Sequence, residues 1–154
     1  MKKILSIFIF LLSTFEVAAS VKLNIINKLK NVENISFDFE QNINGKIENG
    51  NCVIKYPKKI NCKYQQSNKK ILISNGKSLV IKTLSSYYIY PLKKTPLNLI
   101  LDKNFLLKKI KDLKERKIQN KFVNFNFNEN DNDVNLFFDI KTYNLVGWQT
   151  VDIY

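Results

Sequence analysis

The stretch that decides the fold runs from residue 35 to residue 101 and contains four patterned segments. They are ISFDFEQ (35–41), CVIKYPKKINCKY (52–64), ILISNGKSLVIKT (71–83) and YPLKKTPLNLIL (90–101). In the first segment apolar and polar residues alternate with a period of two, which is typical of a strand with one buried face. Pro57 marks a turn in the second segment. Asn75-Gly76 interrupts the third, and Asn-Gly between apolar runs is the strongest short signal of a β-hairpin. The stretch therefore predicts consecutive antiparallel strands.

Helical patterns lie before these strands and at their end. Residues 21–32 place apolar side chains at helical spacing and predict a short amphipathic helix. Thr95-Pro96 predicts the start of another helix, with Thr95 as the N-cap and Pro96 at the first helical position. Residues 105–118 form a further amphipathic pattern with a basic side. Either a solvated helix face or a contact with anionic lipid headgroups or an acidic partner explains its four lysines, Lys108, Lys109, Lys111 and Lys114.

The C-terminal third again predicts strands. Residues 123–127 and 134–140 alternate between apolar and polar side chains, with an acidic turn at 129–133 between them, and residues 145–154 complete the pattern. No repeat and no interdomain linker interrupts the chain. The prediction is one α+β domain, dominated by antiparallel strands, with helices in its first and middle parts.

The first nineteen residues have the pattern of an export signal. Lys2 and Lys3 precede an apolar run at 4–12, and small residues end at Ala19, so we expect a cleaved signal peptide over 1–19. The apolar run is shorter than the roughly 20 residues of a membrane-spanning helix, although an uncleaved anchor is the alternative. The first cysteine, Cys52, is far from the cleavage point, so the predicted mature domain, 20–154, is exported without an N-terminal lipid.

Charge and composition narrow the range of functions that we expect for this chain. The net charge is +12, but Arg116 is the only arginine, whereas proteins that read phosphates favour arginine. We therefore expect a solvated lysine surface and no nucleic-acid partner. The chain has no histidine, which removes the usual general base near neutral pH. It has only four glycines and no glycine-rich phosphate loop, and its acids lie on polar faces or in one turn. We therefore expect that the protein is not an enzyme and that it has no catalytic residue and no cofactor.

The two cysteines have a structural interpretation. Cys52 and Cys62 lie symmetrically about Pro57, so a hairpin centred there would place them opposite one another, within the reach of a disulfide. Buried free thiols are the alternative. Their spacing is not that of a C-x-x-C redox pair, and two cysteines without histidine make a poor metal site, so no metal is expected.

The ordered set of segments resembles the outer-membrane lipoprotein carrier family, the LolA-like periplasmic chaperones. The matching residues are Phe39 and Gln41, the Pro57 turn, Asn75-Gly76, Pro91-Leu92 and Thr95-Pro96-Leu97. The resemblance implies an incomplete antiparallel β-barrel, a curled sheet with covering helices. It also implies a monomeric periplasmic carrier that holds the acyl chains of lipoproteins in an apolar cavity. Such a carrier takes its cargo from an inner-membrane lipoprotein-releasing ABC transporter, transiently contacts the membrane surface, and delivers to the outer membrane, where a receptor accepts the cargo.

The cavity would be lined by the apolar faces of the strands and by the first covering helix. Its predicted residues are Phe37, Phe39, Ile54, Tyr56, Ile60, Tyr64, Leu79 and Ile81, with Leu97, Ile100 and Leu101 from the helix. From the residues alone, such bulky side chains favour an ordinary filled core, whereas the resemblance favours a cavity. A carrier of another lipid or hydrophobic ligand, such as a glycolipid or fatty acid, fits the same logic.

Two positions depart from the family pattern. After the proline turn the family usually has an arginine that holds the covering helices closed, and this chain has Asn61 there. Asparagine has fewer donors and no charge, so a weaker or differently made latch is expected. The chain also ends at Tyr154, about where one or two further strands are expected, so either the barrel closes without them or the domain is C-terminally short, with an exposed sheet edge.

Overall fold

The structure of the protein, a computed structural model, describes residues 20–66 and 68–151. The predicted signal peptide with its cleavage site lies outside these residues, as do the last three residues of the predicted final strand. Within them the chain forms three α-helices and ten strands. Their bounds are α1 Val21–Asn31, β1 Asn34–Ile43, β2 Lys46–Lys55, β3 Lys59–Tyr64, β4 Ile71–Asn75, β5 Ser78–Lys82, β6 Tyr87–Pro91, α2 Leu97–Ile100, α3 Lys103–Asp112, β7 Arg116–Ile118, β8 Phe122–Glu129, β9 Asn132–Asp139 and β10 Leu145–Val151.

The strands form two antiparallel sheets. The first has the order β1-β2-β3-β4-β5-β6, and the second has the order β10-β9-β8-β7. In the described chain no ladder joins the two sheets, so they do not close into a barrel. Side chains meet instead where β1 approaches β10: the rings of Phe37 and Trp148 lie edge to face with their centroids 6.0 Å apart. The predicted α+β fold with an open, curled sheet is confirmed.

One continuous cluster of buried side chains joins both sheets to the helices. The strands contribute to this cluster through their alternating sequence, because successive strand residues face opposite sides of a sheet and only one side of each sheet is apolar. Fully buried members from α1, α3 and the second sheet are Ile25, Leu106, Ile110, Val123, Phe125, Val134, Leu136 and Phe138. We call the side of the first sheet that packs into this cluster its inner face.

Helices α1 and α3 are tied to each other at both ends. Lys22, near the start of α1, donates to the carbonyl oxygens of Lys111 and Leu113 at 2.9 and 2.8 Å. Lys103, at the start of α3, donates to the carbonyls of Lys30 and Val32 at 3.1 and 2.9 Å. Each ammonium therefore satisfies carbonyls that a helix C-terminus leaves without partners, and the helix pair is fixed.

Two predictions about the helices are wrong. The helix expected over 105–118 ends at Asp112, because Gln119 and Asn120 form a tight turn at positive φ (50° and 49°) that pairs Arg116–Ile118 with β8. Hairpin pairing replaces the end of the helical pattern there, since both central residues have the signs that a type I′ turn requires. Thr95 is not an N-cap: its hydroxyl donates to the Leu92 carbonyl at 2.8 Å, and α2 has no side-chain cap.

Candidate functional site

The predicted cavity residues of the strands lie on the inner face, because the register aligns them in rows across the sheet. One row crosses all six strands, and a second row runs beside it. The first row is Phe37, Cys52, Cys62, Leu72, Ile81 and Tyr88, and the second is Ile35, Ile54, Ile60, Ser74, Leu79 and Tyr90. Phe39 and Tyr64 continue the pattern on the other side of the first row, opposite Gly50, and Tyr56 lies two residues beyond Ile54.

This inner face is filled in the structure. Ile54 and Ile60 are buried, Phe37 and Ile81 are half-buried, and the rows pack against α1, the covering helices and the second sheet. A cavity of about 10 Å³ lies where Ile35, Phe37 and Ile54 approach Leu145, Val146 and Trp148. That volume holds about one water molecule. An acyl chain can therefore enter only if the elements covering the inner face move.

Gly50 permits the closest packing on this face. A Cβ atom added there would collide with the Lys63 carbonyl and with the ring of Phe39, which lies directly over the glycine. The same ring meets Tyr64 edge to face at 4.9 Å between centroids. The cross-strand aromatic pair thus covers the gap that the glycine leaves.

Cys52 and Cys62 are directly opposite in β2 and β3, and their sulfur atoms are joined in a disulfide. Both cysteines are buried in the middle of the first row. The bond therefore lies within the buried part of the inner face.

Helix α2 and the residue after it cover the inner face. Ile100 and Leu101 are fully buried, and Leu97 is half-buried against the same cluster. This helix has only four residues, so it stabilises itself little and depends on its packing in the buried cluster. Of the two predicted covering elements, α3 is fixed to α1 by the paired lysines, and α2 is not.

Lys58, in the turn between β2 and β3, holds the junction of α2 and α3. Its Nζ lies 3.2 Å from Asn98 Oδ1 and 3.3 Å from Asp102 Oδ2, and its backbone N–H donates to the Leu101 carbonyl at 2.8 Å. Asp102 also caps α3 by accepting from the Phe105 N–H at 3.0 Å. We call these three bonds from Lys58 the Lys58 latch. Asn61 lies exposed on the other face of β3.

The sequence did not point to Lys58, because one lysine among many carries no signal. Its geometry depends on the backbone: Lys58 has φ of 63°, in the left-handed region. Ser74 fixes that turn by donating its hydroxyl hydrogen to the Lys58 carbonyl at 2.9 Å. A serine at a buried position of a strand was the one available hint.

A polar cluster lies at the end of the inner face near the β1–β2 turn. Glu48, only 3% exposed, accepts from Lys70 Nζ at 2.6 Å and pairs with Lys46 at 3.3 Å. The hydrogen bond from Lys70 lowers the pKa of the Glu48 carboxyl below its ordinary value. Lys70 also lies 4.2 Å above the Tyr64 ring, and Tyr64 donates to Gln41 at 2.9 Å. Its members satisfy one another, which removes much of the cost of burying a charge.

Tyr56 differs from these groups. Its side chain is 8% exposed, and its hydroxyl has no hydrogen-bond partner among the described residues. Burial raises the pKa of Tyr56 to about 12, so it is a neutral donor at physiological pH. A buried donor without a partner costs about 1–3 kcal/mol. The inner face thus includes one polar group whose hydrogen-bonding capacity is unused.

The four lysines predicted on one helix do not share a surface. Lys109 pairs with Glu129 at 2.6 Å, and Lys114 lies beyond the end of α3, in a polar groove with Arg116 and Asn124. Lys108 and Lys111 are exposed on α3. A four-lysine helical face is therefore absent, because the helix ends before its last member.

Strand β6 was not predicted, although its sequence carried a signal. Tyr87-Tyr88-Ile89-Tyr90 is a run of residues with high strand propensity, and it follows Ser85-Ser86, which are turn formers. It extends both rows of the inner face to Tyr88 and Tyr90, which stack at 6.5 Å between ring centroids and are largely exposed. The apolar inner face therefore continues to an open edge of the sheet.

Comparison with known proteins is consistent with this geometry. A family model described as outer membrane lipoprotein carrier protein LolA matches residues 30–154. No curated protein matches the chain. Among the described residues, no helix is long and apolar enough to cross a membrane, and no three potential metal ligands converge.

Proposed function

The chain belongs to the outer membrane lipoprotein carrier protein LolA family, and we propose that it carries lipoproteins from the inner to the outer membrane. Proteins of this family are periplasmic carriers rather than enzymes. The proposal extends that role to this chain. It takes cargo from an inner-membrane lipoprotein-releasing ABC transporter, hands it to an outer-membrane receptor, and works as an exported monomer in the periplasm without a cofactor.

The observation that carries the proposal is the inner face itself. Two rows of mostly apolar side chains cross six strands and lead from the buried core to exposed Tyr88 and Tyr90. Each acyl CH₂ removed from water contributes about 0.8 kcal/mol, so a few dozen methylenes on such a face supply ample affinity. Part of that free energy is offset by separating the face from the helices that fill it. This offset keeps binding reversible, as delivery requires.

Helix α2 is the element that moves in this proposal. It is short and uncapped, and the Lys58 latch holds its C-terminal end to the sheet, whereas α3 is fixed to α1. When α2 moves away, Ile54, Ile60 and Leu79 become accessible to acyl chains. The cargo-binding residues are those predicted from the sequence.

Tyr56 gives the proposed site a polar contact. Its neutral hydroxyl has no partner among the described residues, so it can donate to an ester or amide carbonyl of the lipid-modified cargo residue. This hydrogen bond to the cargo would form without breaking a hydrogen bond within the described part of the protein, because the Tyr56 hydroxyl has no partner there.

The test is release of a labelled triacylated lipoprotein from spheroplasts by purified residues 20–154. Soluble one-to-one complex is expected with the wild type and with Val80→Ser. Ile81→Ser should lower the yield of complex about tenfold, because it places a polar group on the inner face. Val80 is the matched control, since it is adjacent and also half-buried but faces the other side of β5. Equal yields from the two variants would contradict binding on the inner face. No release by the folded wild type would contradict the proposal, and lipid extraction would then show whether another lipid is bound.

A further inference from the structure

We propose that the β5–β6 hairpin is a membrane-docking element that binds the surface of an anionic phospholipid bilayer. This inference goes beyond cargo carriage, since it concerns the empty protein and a cargo-free bilayer. It is carried by three observations: where the exposed apolar side chains lie, how the strand edge is built, and how charge is distributed.

Exposed apolar side chains concentrate in this hairpin. Of the ten large hydrophobic side chains that are exposed in the described chain, five lie within residues 84–90. They are Leu84 (69% exposed), Tyr87 (60%), Tyr88 (52%), Ile89 (58%) and Tyr90 (44%). Leu84 is at the turn, and the other four cover both faces of β6. Tyrosine rings are typical of the membrane–water interface, where their amphipathic rings lie at headgroup level.

The edge of β6 is open but short. Thr83 and Ser86 are hydrogen-bonded across the turn, as are Leu92 and Lys77 at the other end. Because paired residues alternate along an antiparallel ladder, the backbone groups of Tyr87 and Ile89 point away from β5. Pro91, the next residue in that series, has no N–H. Two residues make a poor template for an added protein strand, so the exposed side chains rather than the backbone edge are the stronger feature.

Charge favours an anionic partner. Between Glu48 and Asp102 the chain has ten lysines and no acidic residue, so every charged side chain of this segment is positive. Lys82, Lys93 and Lys94 are exposed beside the apolar residues of the hairpin. Like-charge repulsion opposes a second copy of the chain at this edge. Lysines beside exposed Tyr, Leu and Ile side chains are the combination that binds anionic bilayers.

The docked geometry has a consequence for the inner face. Tyr88 and Tyr90 are the ends of its two rows, next to Ile81 and Leu79 of β5. A bilayer bound at the hairpin would therefore touch the open end of the apolar rows. If the proposed function holds, acyl chains would leave or enter the bilayer along these rows without crossing water.

The experiment is flotation of the cargo-free domain, residues 20–154, with vesicles of phosphatidylcholine alone and with one quarter phosphatidylglycerol. We expect binding only to the anionic vesicles, and slower amide exchange at Tyr87 and Ile89 in the bound protein. Leu84→Ser/Ile89→Ser should weaken binding roughly tenfold or more. The matched control is Ile47→Ser/Val53→Ser, which removes two similarly exposed side chains from β2 and should bind like the wild type.

Charge variants provide a second pair. Lys82→Gln/Lys93→Gln/Lys94→Gln should weaken binding on the order of 100-fold at low salt, since each lysine near the surface contributes about fivefold. The control Lys55→Gln/Lys59→Gln/Lys63→Gln removes the same charge from exposed sites on β2 and β3, and we expect a much smaller loss. Circular dichroism checks that each variant is folded.

Three results would overturn the proposal: no binding of the wild type to anionic vesicles, equal loss in hairpin and control variants, or concentration-dependent self-association through the hairpin instead. None of these results depends on lipoprotein. The flotation experiment can therefore fail while the release assay succeeds, and membrane docking can still be tested if no lipoprotein is released.

Discussion

Replacing Lys58 with glutamine tests whether the Lys58 latch keeps α2 closed. The substitution removes the charge that lies 3.3 Å from Asp102 and 3.2 Å from Asn98, while the backbone bond to the Leu101 carbonyl stays. The Lys58 and Asp102 side chains are 34% and 30% exposed, so solvent screens the pair and its contribution is at the upper end of the surface range, about 1 kcal/mol. Such a loss raises the population of the open form about fivefold.

Amide exchange measures this opening. The N–H groups of Leu101 and Phe105 are bonded to the Leu97 carbonyl and to Asp102 Oδ1, so both exchange when the junction of α2 and α3 opens. We expect both to exchange about fivefold faster in Lys58→Gln, and the difference to shrink in 1 M salt, where the Debye length is about 3 Å. Lys59→Gln is the matched control, since Lys59 is the exposed neighbour on β3. Exchange that is no faster in Lys58→Gln than in Lys59→Gln would refute the latch.

Three further predictions concern stability. Cys52→Ala/Cys62→Ala should lower the free energy of unfolding by about 3 kcal/mol and Tm by roughly 10 °C, because the disulfide closes a loop at a sequence separation of 10; calorimetry that gave an unchanged Tm would contradict a formed bond. Tyr56→Phe should raise the free energy of unfolding in urea by about 1 kcal/mol and weaken binding of a triacylated lipopeptide, and a loss of stability would instead reveal a bonded hydroxyl. The pKa of Glu48 is lowered by Lys70, so its contribution to stability is present above its ordinary pKa near 4.5 and is lost as pH falls below that value. Glu48→Gln should therefore be less stable than the wild type at pH 7 and should lose less stability between pH 5 and pH 3. Urea titrations in which both proteins lose the same free energy of unfolding over that pH range would contradict the assignment.

The sequence predicted the inner face well because alternation is a local property. Phe37, Ile54 and Ile60 are buried or half-buried on one side of the sheet for the same reason that they alternate with lysine and other polar residues. The Pro57 turn then placed Cys52 opposite Cys62, since a hairpin's register follows from its turn.

Features that depend on tertiary contacts were not predictable. The amphipathic pattern at 105–118 is a sound helical signal up to Asp112. The pairing of residues 116–118 with β8 depends on a turn in which Gln119 and Asn120 have positive φ, and the sequence Gln-Asn alone does not predict that turn. Lys58 acquires its role only because its turn meets α2 across the fold, forty residues away in the chain. No pattern in one sequence distinguishes it from the exposed lysines beside it.

The most direct test of the central claim is crosslinking between the inner face and the acyl chains of bound cargo. A photoreactive p-benzoylphenylalanine at Phe37, on the inner face of β1, is compared with one at Val53, which projects from the other face of the neighbouring strand. Each protein is loaded with a triacylated lipoprotein and irradiated, and mass spectrometry locates the adduct. We expect adducts on acyl carbons from position 37 and none from position 53. Equal adducts from both positions, or acyl adducts from position 53 alone, would contradict it.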